Sequence, residues 1–516
     1  MDRILSLSRS QHNDLPPWAI PAVLALAGAG WGLLLARFSL WNGLLFTALA
    51  FIFVSSVGEP LAGVVAVLFL GPLQAWLSME FPRIPATIGR IVFWVVVGIW
   101  IARGLLRRDW HIPLPPLLIP LLGFMGVTLL SLWQPFDPWT GLLEWGKWGQ
   151  IVIMFLLVYD RLRGADGSRR AILLVVGLAG VAVFQALVGL WQFGFSEDVP
   201  ESFAIDARFY RAYGTFEQPN PYAGFLGLVG ALLAGIVLAW GWDWLTNGAW
   251  RIKNDASRTS HDVPCTTGHV LRFTPDKGVF LLALLALLVT VAALVASWSR
   301  GGWMGFAAAL LGIIVGLPRR TRWGVALVIV VVVGGLGLYA VDLLPASIEA
   351  RLTGFLEYTR FEDVRGVGIN DANYAVIERM AHWQAALSMW REHFWLGVGF
   401  GCYEPAYATY RLINWPLALG HAHNYYLNLL AETGILGLAA FLVMLGSVMV
   451  NLWRASRRRT GWIRGLALGL NGAWIHFAVH NLVDNILVNN VHLHFGVLLA
   501  LSAWVVWGAR ECKEAA

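Results

Sequence analysis

The sequence predicts an all-α, polytopic membrane protein. Of its 516 residues, 58% are hydrophobic and only 13% charged, against about a quarter charged in ordinary soluble domains. The mean hydropathy is +0.64. About fourteen apolar segments approach the roughly 20 residues that a helix needs to cross a hydrocarbon core. These observations exclude soluble enzymes, disordered chains and secreted disulfide scaffolds. The net charge of +6 is read as membrane orientation, with no nucleic-acid partner.

In chain order the expected spans centre near Leu26, Ala48, Leu70, Val96, Phe124, Met154, Val181, Ala231, Leu287, Leu310, Val331, Met444, His476 and Ala500. The second and third are separated only by the turn Val57-Gly58-Glu59-Pro60, and the sixth reads as short. The amino terminus is polar, carries Arg3 and Arg9 and shows no cleavable signal, so it is expected in the cytoplasm. Loops after even-numbered spans must then be cytoplasmic as well. They carry Arg103, Arg107 and Arg108, then Arg161, Arg163, Arg169 and Arg170, then Arg251 to Lys277. Further along come Arg319, Arg320 and Arg322, then Arg454 to Arg464, then Arg510 and Lys513. About 24 of the 37 basic residues fall inside. A one-span error would destroy this alternation, so an even count with both termini inside is expected.

Three regions are expected: residues 1–341 with spans 1 to 11, an external loop over 342–420 with amphipathic helices, and residues 421–516 with spans 12 to 14. The cytoplasmic stretch Asn254 to Asp276 reads as a flexible loop. In the external loop, Ile377, Met380, Trp383, Leu387 and Trp390 recur at helical spacing. An amphipathic helix over Asn373 to His393 follows, its Trp content suiting a membrane interface and Arg379 at the edge of its apolar face. Leu396-Gly-Val-Gly-Phe-Gly401 then reads as a flexible Gly-rich turn. Cys402 is expected alone outside, with Cys265 and Cys512 inside, so no disulfide joins it to either. No Cys/His cluster suggests zinc.

Chemistry concentrates on the external side. In Ser297-Trp-Ser-Arg-Gly-Gly-Trp303, Arg300 sits in a turn too short to carry it away from the headgroups. Snorkelling is the plain explanation, yet an always-charged, forked donor is the right device for a lipid phosphate. Arg211, just before the eighth span, is either a solvated charge or a second such cation. Two arginines could hold one diphosphate. Asn220 is expected to cap the eighth span. In Gly420-His-Ala-His-Asn-Tyr-Tyr, His421 and His423 beside Asn424 and Tyr425 suit proton transfer near neutral pH. Metal binding by His-x-His is the weaker reading, for want of a third ligand in the sequence. Glu432 reads as the end of a short helix before Gly434. His480, Asn481, Asp484, His492 and His494 read as a polar cluster at the outer turn between the last two spans, Asp484 being able to orient a histidine. There is no Asp-x-Asp and no P-loop.

Arg211 with Gly214-Thr-Phe and Pro219-Asn220, Ser299-Arg-Gly-Gly302, Arg379 with Trp383 and Leu396 to Gly401, and His423-Asn-Tyr-Tyr-Leu427 with Ala431-Glu-Thr-Gly434 occur in one order. Together they resemble the O-antigen ligase / O-antigen polymerase superfamily over roughly Arg208 to Gly434. The resemblance implies a GT-C-like glycosyltransferase of the bacterial inner membrane, metal-independent and without cofactor. It would invert the anomeric centre while moving a glycan from undecaprenyl diphosphate to an acceptor hydroxyl at the outer face. It implies His423 as general base, with His421 an alternative, and Arg211 and Arg300 on the diphosphate; Arg379 is grouped with them as a third cation. Asn424, Tyr425 and Asn220 are expected to support the site or acceptor. The acceptor is a glycan for a polymerase, a lipid for a ligase, or a protein for a related oligosaccharyltransferase branch. A multi-span transporter, for instance of inorganic carbon, is the competing class; it predicts a midplane polar pathway and repeated halves, and neither is evident in the sequence. A lipid-glycan flippase would need a basic cavity reachable from both leaflets.

Overall fold

The computed structural model describes residues 28–33, 37, 40–80, 88–108, 111–196, 199–205, 208–246, 277–341, 343, 349, 351, 363–370 and 373–509. The first expected span, the loop Asn254 to Asp276, Cys265 and Cys512 lie wholly or mainly outside these. Two compact units are formed, residues 1–63 and 64–516.

In the first unit, α1 (Leu40–Gly58) is an unbroken apolar run. It stops where the sequence turns, at Glu59, whose amide donates to the Ser55 carbonyl at 2.9 Å. Pro60 then opens α2 (Pro60–Glu80), a position where its missing N–H costs nothing.

The second unit continues with α3 (Ile88–Leu106), α4 (Leu118–Ser131), α5 (Pro138–Leu162), α6 (Gly167–Gly194), α7 (Pro219–Thr246), α8 (Lys277–Ala296), α9 (Arg300–Gly316) and α10 (Thr321–Ala340). After these come α11 (Tyr374–Glu392), α12 (Tyr403–Tyr410), α13 (Tyr425–Arg458), α14 (Gly461–His480) and α15 (Val491–Ala503). Every expected span centre after the first lies in a helix. Among the described residues nine helices are long and apolar enough to cross a membrane. The sixth span is not short: α5 runs 25 residues because Asp137 caps it, accepting from the Trp139 and Thr140 amides, with Pro138 at its first position.

Helix α7 is the hub, 89% of its apolar window being buried, and it packs on α6, α8, α9 and α14. It meets α14 at Gly235 and Gly469, where a Cβ on either would overlap the other helix's backbone. Such small-residue contacts bring helix backbones together without a hydrophobic drive.

The region after α10 departs from expectation in two ways. Helix α11 forms as read, but its inward face is Ala381, His382, Ala385, Ala386 and Met389 together with Ile377 and Met380. Ala385, Ala386 and Met389 pack on Tyr403 and Tyr407 of α12. Trp383, Leu387 and Trp390 are only half-buried. Small alanines set the close approach, and a reading that weights bulky apolar side chains misses them. The Gly-rich segment, in turn, is a fixed strut. Val398 and Gly399 donate to the carbonyls of Ala431 and Glu432 at 2.9 and 3.0 Å, and Ile435 donates to Phe394 at 3.0 Å. Helix α13 is broken there at Gly434 (φ 63°, ψ −167°). A Cβ on Gly397 or Gly434 would overlap the opposing backbone, so both must be glycine.

Candidate active site

Residues from five stretches of chain surround one cavity of about 280 Å³. Arg211 and Asn220 flank the start of α7, Ser299, Arg300 and Met304 open α9, Arg351 follows α10, Arg379 and Trp383 come from α11, and Asp484 from the α14–α15 turn. Ser299 caps α9, accepting the Gly302 amide, so Arg300 stands at the positive end of the helix dipole.

Arg211 donates from Nε to the Ser297 carbonyl at 3.1 Å and from Nη2 to Asn220 Oδ1 at 3.0 Å. Asn220 therefore lies inside the first turn of α7 and orients Arg211, instead of capping the helix from outside as expected. Arg351 gives both Nε and Nη2 to the Trp298 carbonyl, at 3.1 and 2.7 Å. Arg379 donates to Ala375 at 2.8 Å. These anchors are neutral, so the positive charges stay uncompensated by them. Burial, then Arg379 and Arg300, hold Arg211 down to about 10. Burial, then Arg300, Arg211 and Arg379, hold Arg351 down to about 9. Among the described residues Asp484 is the one carboxylate lining the cavity.

The histidines lie beside this cavity, outside its lining. One ligand atom each of His421, His423 and Asp484 lie within 4.8 Å of one another. His423 has a left-handed backbone (φ 50°), and its amide donates to His421 Nδ1 at 3.0 Å. That bond uses the lone pair of His421 and leaves its proton on Nε2. Both ring nitrogens of His423 are buried without a partner among the described residues. Burial, then His421 and Arg379, push His423 down to about 2, and burial lowers His421 as well. Both rings are neutral at pH 7, and of the two only His423 has a lone pair to offer.

The sequence lacked a third metal ligand; Asp484 supplies one. The donor set still fits a metal poorly. Neutral His421 cannot give Nε2 to a metal while Nδ1 accepts an amide, and four guanidinium groups crowd the same corner.

Asn424 caps α13, its side chain accepting from the Tyr426 and Leu427 amides. Tyr425 is buried against Phe441 and Phe477, so both support the fold and neither reaches the cavity. His480, His492 and His494 are buried in helices rather than gathered at a surface turn; His492 Nε2 meets Gln150 Oε1 at 3.1 Å. Three residues went unread or underread in the sequence: Arg351, Asp484 as a cavity residue, and His382. An excess of arginine on a loop expected outside was the available signal for Arg351. Nothing local marked the other two.

Residues 284–442 match the family model described as O-antigen ligase. No curated protein matches the chain. The match takes in Arg300, Arg351, Arg379, His421 and His423, and stops short of Arg211 and Asp484. It bears out the resemblance to the O-antigen ligase / O-antigen polymerase superfamily.

Proposed function

From the premise of a multi-pass membrane protein with this resemblance, we propose a GT-C-like glycosyltransferase of about fourteen spans that works at the outer face of the bacterial inner membrane. Its donor is a glycan on undecaprenyl diphosphate and its acceptor a hydroxyl of a glycan or lipid. One observation supports this above the rest: four guanidinium groups line a single cavity beside a neutral imidazole.

The chemistry follows from the donor. The acceptor oxygen forms a bond to the anomeric carbon as the bond from that carbon to the diphosphate oxygen breaks, inverting the centre. The hydroxyl proton passes to His423, and undecaprenyl diphosphate leaves with the bonding electron pair. The leaving group needs no protonating acid. It needs fixed cations where its negative charge grows, and Arg211, Arg300, Arg351 and Arg379 supply them preorganised. Burial first, then His421 and Arg379, keep His423 deprotonated while no anion is present. A bound diphosphate offsets the cations and makes the imidazolium less costly, so base strength rises when donor is in place.

The test is transfer by the purified protein with an undecaprenyl-diphosphate glycan and acceptor, scored by release of undecaprenyl diphosphate. His423→Ala should lose at least roughly a hundredfold of the rate while keeping the wild-type unfolding temperature. Undiminished release by that variant removes the base; no release by wild type with any glycan or lipid acceptor removes the reading.

A further inference from the structure

Behind His423 lies a histidine that the mechanism has not used. His382 on α11 is 1% exposed. Its Nδ1 is 2.9 Å from the Tyr403 hydroxyl, and that hydroxyl donates its own proton to the His382 carbonyl at 3.3 Å. With the Tyr403 proton on that carbonyl, its oxygen is left to accept, and Nδ1 of His382 then carries the ring proton while Nε2 carries the lone pair. Tyr407 stacks on the ring at 4.7 Å and 17° and fixes its plane. Nε2 is buried with no partner among the described residues.

His423 stands edge-on to this ring, centroids 5.5 Å apart at 80°, with both of its own nitrogens unpartnered. No hydrogen bond joins the two rings as they stand, and a buried orphan acceptor beside a buried orphan N–H is costly unless the two serve each other. His421 also lies against His423, at 4.6 Å, but its Nδ1 already accepts the His423 amide. Resting on the transferase reading above, we propose that His382 is a positioning residue for the base. A small turn of the His423 ring brings its N–H onto Nε2 of His382, which fixes the His423 tautomer, points the other nitrogen toward the acceptor hydroxyl and shares the proton once His423 has taken it. Tyr403 sets this up from behind by holding the His382 proton on Nδ1. The arrangement is the neutral counterpart of a carboxylate that orients a catalytic histidine.

The experiment measures kcat and KM for a polyprenyl-diphosphate glycan in the full-length protein with His382→Phe, His382→Gln, Tyr403→Phe and His423→Ala. Phenylalanine keeps the stack on Tyr407 and removes the acceptor; glutamine restores an acceptor near the Nε2 position. His382→Phe should lower kcat about 10–100-fold, the range for partners that orient a reactive histidine, with KM unchanged. His382→Gln should recover most of that loss, and Tyr403→Phe should cost several-fold in kcat. Equal impairment of Phe and Gln assigns His382 to packing and overturns the proposal, as does wild-type kcat in His382→Phe. Should His382→Phe not fold, wild-type kcat in Tyr403→Phe overturns it. A fully active His423→Ala condemns the base itself. An inactive His423→Ala beside an undiminished His382→Phe condemns only the positioning role.

Discussion

Helix α9 carries arginine clusters at both ends, about 25 Å apart by helical rise, and they are built on opposite principles. At its C-terminal end Arg319, Arg457, Arg459 and Arg464 donate to protein oxygen. Arg457 donates to the carbonyls of Val315, Gly316 and Pro318 at 3.3, 3.3 and 2.5 Å. Arg319 returns donors to the carbonyls of Arg457 and Arg459 at 2.8 and 3.0 Å. Arg459 serves Val505, Val506 and Ala509, and Arg464, 2% exposed, pairs with Asp243 at 3.3 Å and donates to Leu317. These are cations at helix C-termini, where the dipole and the orphan carbonyls both favour them. At the N-terminal end the dipole opposes Arg300, and Arg211, Arg351 and Arg379 are gathered around a cavity with one carboxylate among them. One end is arranged for stability, the other at its expense. Cations held together against their mutual repulsion mark a place where an anion belongs.

The largest contrast should appear when each end loses one arginine. Arg300→Ala should cut glycan transfer by roughly 10²–10³-fold, as for other charge-stabilising donors, with an unfolding temperature at or above wild type. Arg464→Met should do the reverse. Stranding the carbonyls of Gly316 and Leu317 and leaving Asp243 without its partner should cost about 1–3 kcal/mol, while turnover per folded molecule persists. Turnover and thermal unfolding of both variants decide the matter. A destabilised Arg300→Ala, or a stable Arg464→Met, would erase the distinction between the two ends.

The sequence made the helices legible because hydropathy and charge alternation are long-range, redundant signals, and it made Arg211 and Arg300 legible because arginine is out of place on loops read as external, and Arg379 through its place on an amphipathic helix. It did not reveal which residues meet across the chain. Among the described residues Arg351 is tied to the cavity through the Trp298 carbonyl. Asp484 reaches it from a turn almost 200 residues beyond Arg300, and His382 lay hidden on a helix read by its tryptophans. The strut at Gly397 was misread for a related reason. A glycine demanded by a backbone more than thirty residues away looks in sequence like a glycine of a loose turn.

A second contrast needs no substitution at the cavity. Inorganic pyrophosphate offers the charge of the proposed leaving group without lipid or sugar. It should raise the unfolding temperature, by the equivalent of about 2.7 kcal/mol at a hundredfold excess over its Kd. Arg211→Gln should lose most of that rise. Arg464→Met, though less stable, should keep the whole of it, because that substitution leaves the cavity arginines untouched. An equal response in both variants would mean that the anion binds elsewhere.

Arg351→Gln comes next in size. It removes a charge anchored by a neutral carbonyl while Arg211, Arg300 and Arg379 remain, so transfer should fall about tenfold, one charge-assisted contact's worth. Stability should rise, since a cation held down to about 9 by burial and by the other three is one the fold strains to keep charged. An unfolding temperature below wild type would show Arg351 to be an anchor like those at the far end.

The smallest effect is a pH slope, and its sign separates the ends once more. His421 and His423 sit below their ordinary value of 6.5, His423 at about 2, by burial first and by neighbouring positive charge. In the unfolded chain both take up protons as the pH falls through 6.5; in the fold they do not. The unfolded state then binds more protons, so the stability these groups contribute is complete above pH 6.5 and declines from there towards the folded values. The decline is at most about 1.4 kcal/mol per pH unit for each imidazole. His421→Gln should flatten the fall in unfolding temperature between pH 7 and 5, whereas Arg457→Met should shift the whole curve down without changing that slope. Arg457 donates to carbonyls and to Thr321, none of which titrates in this window, so a change of slope in Arg457→Met, or none in His421→Gln, would place the acid-sensitive groups away from the cavity.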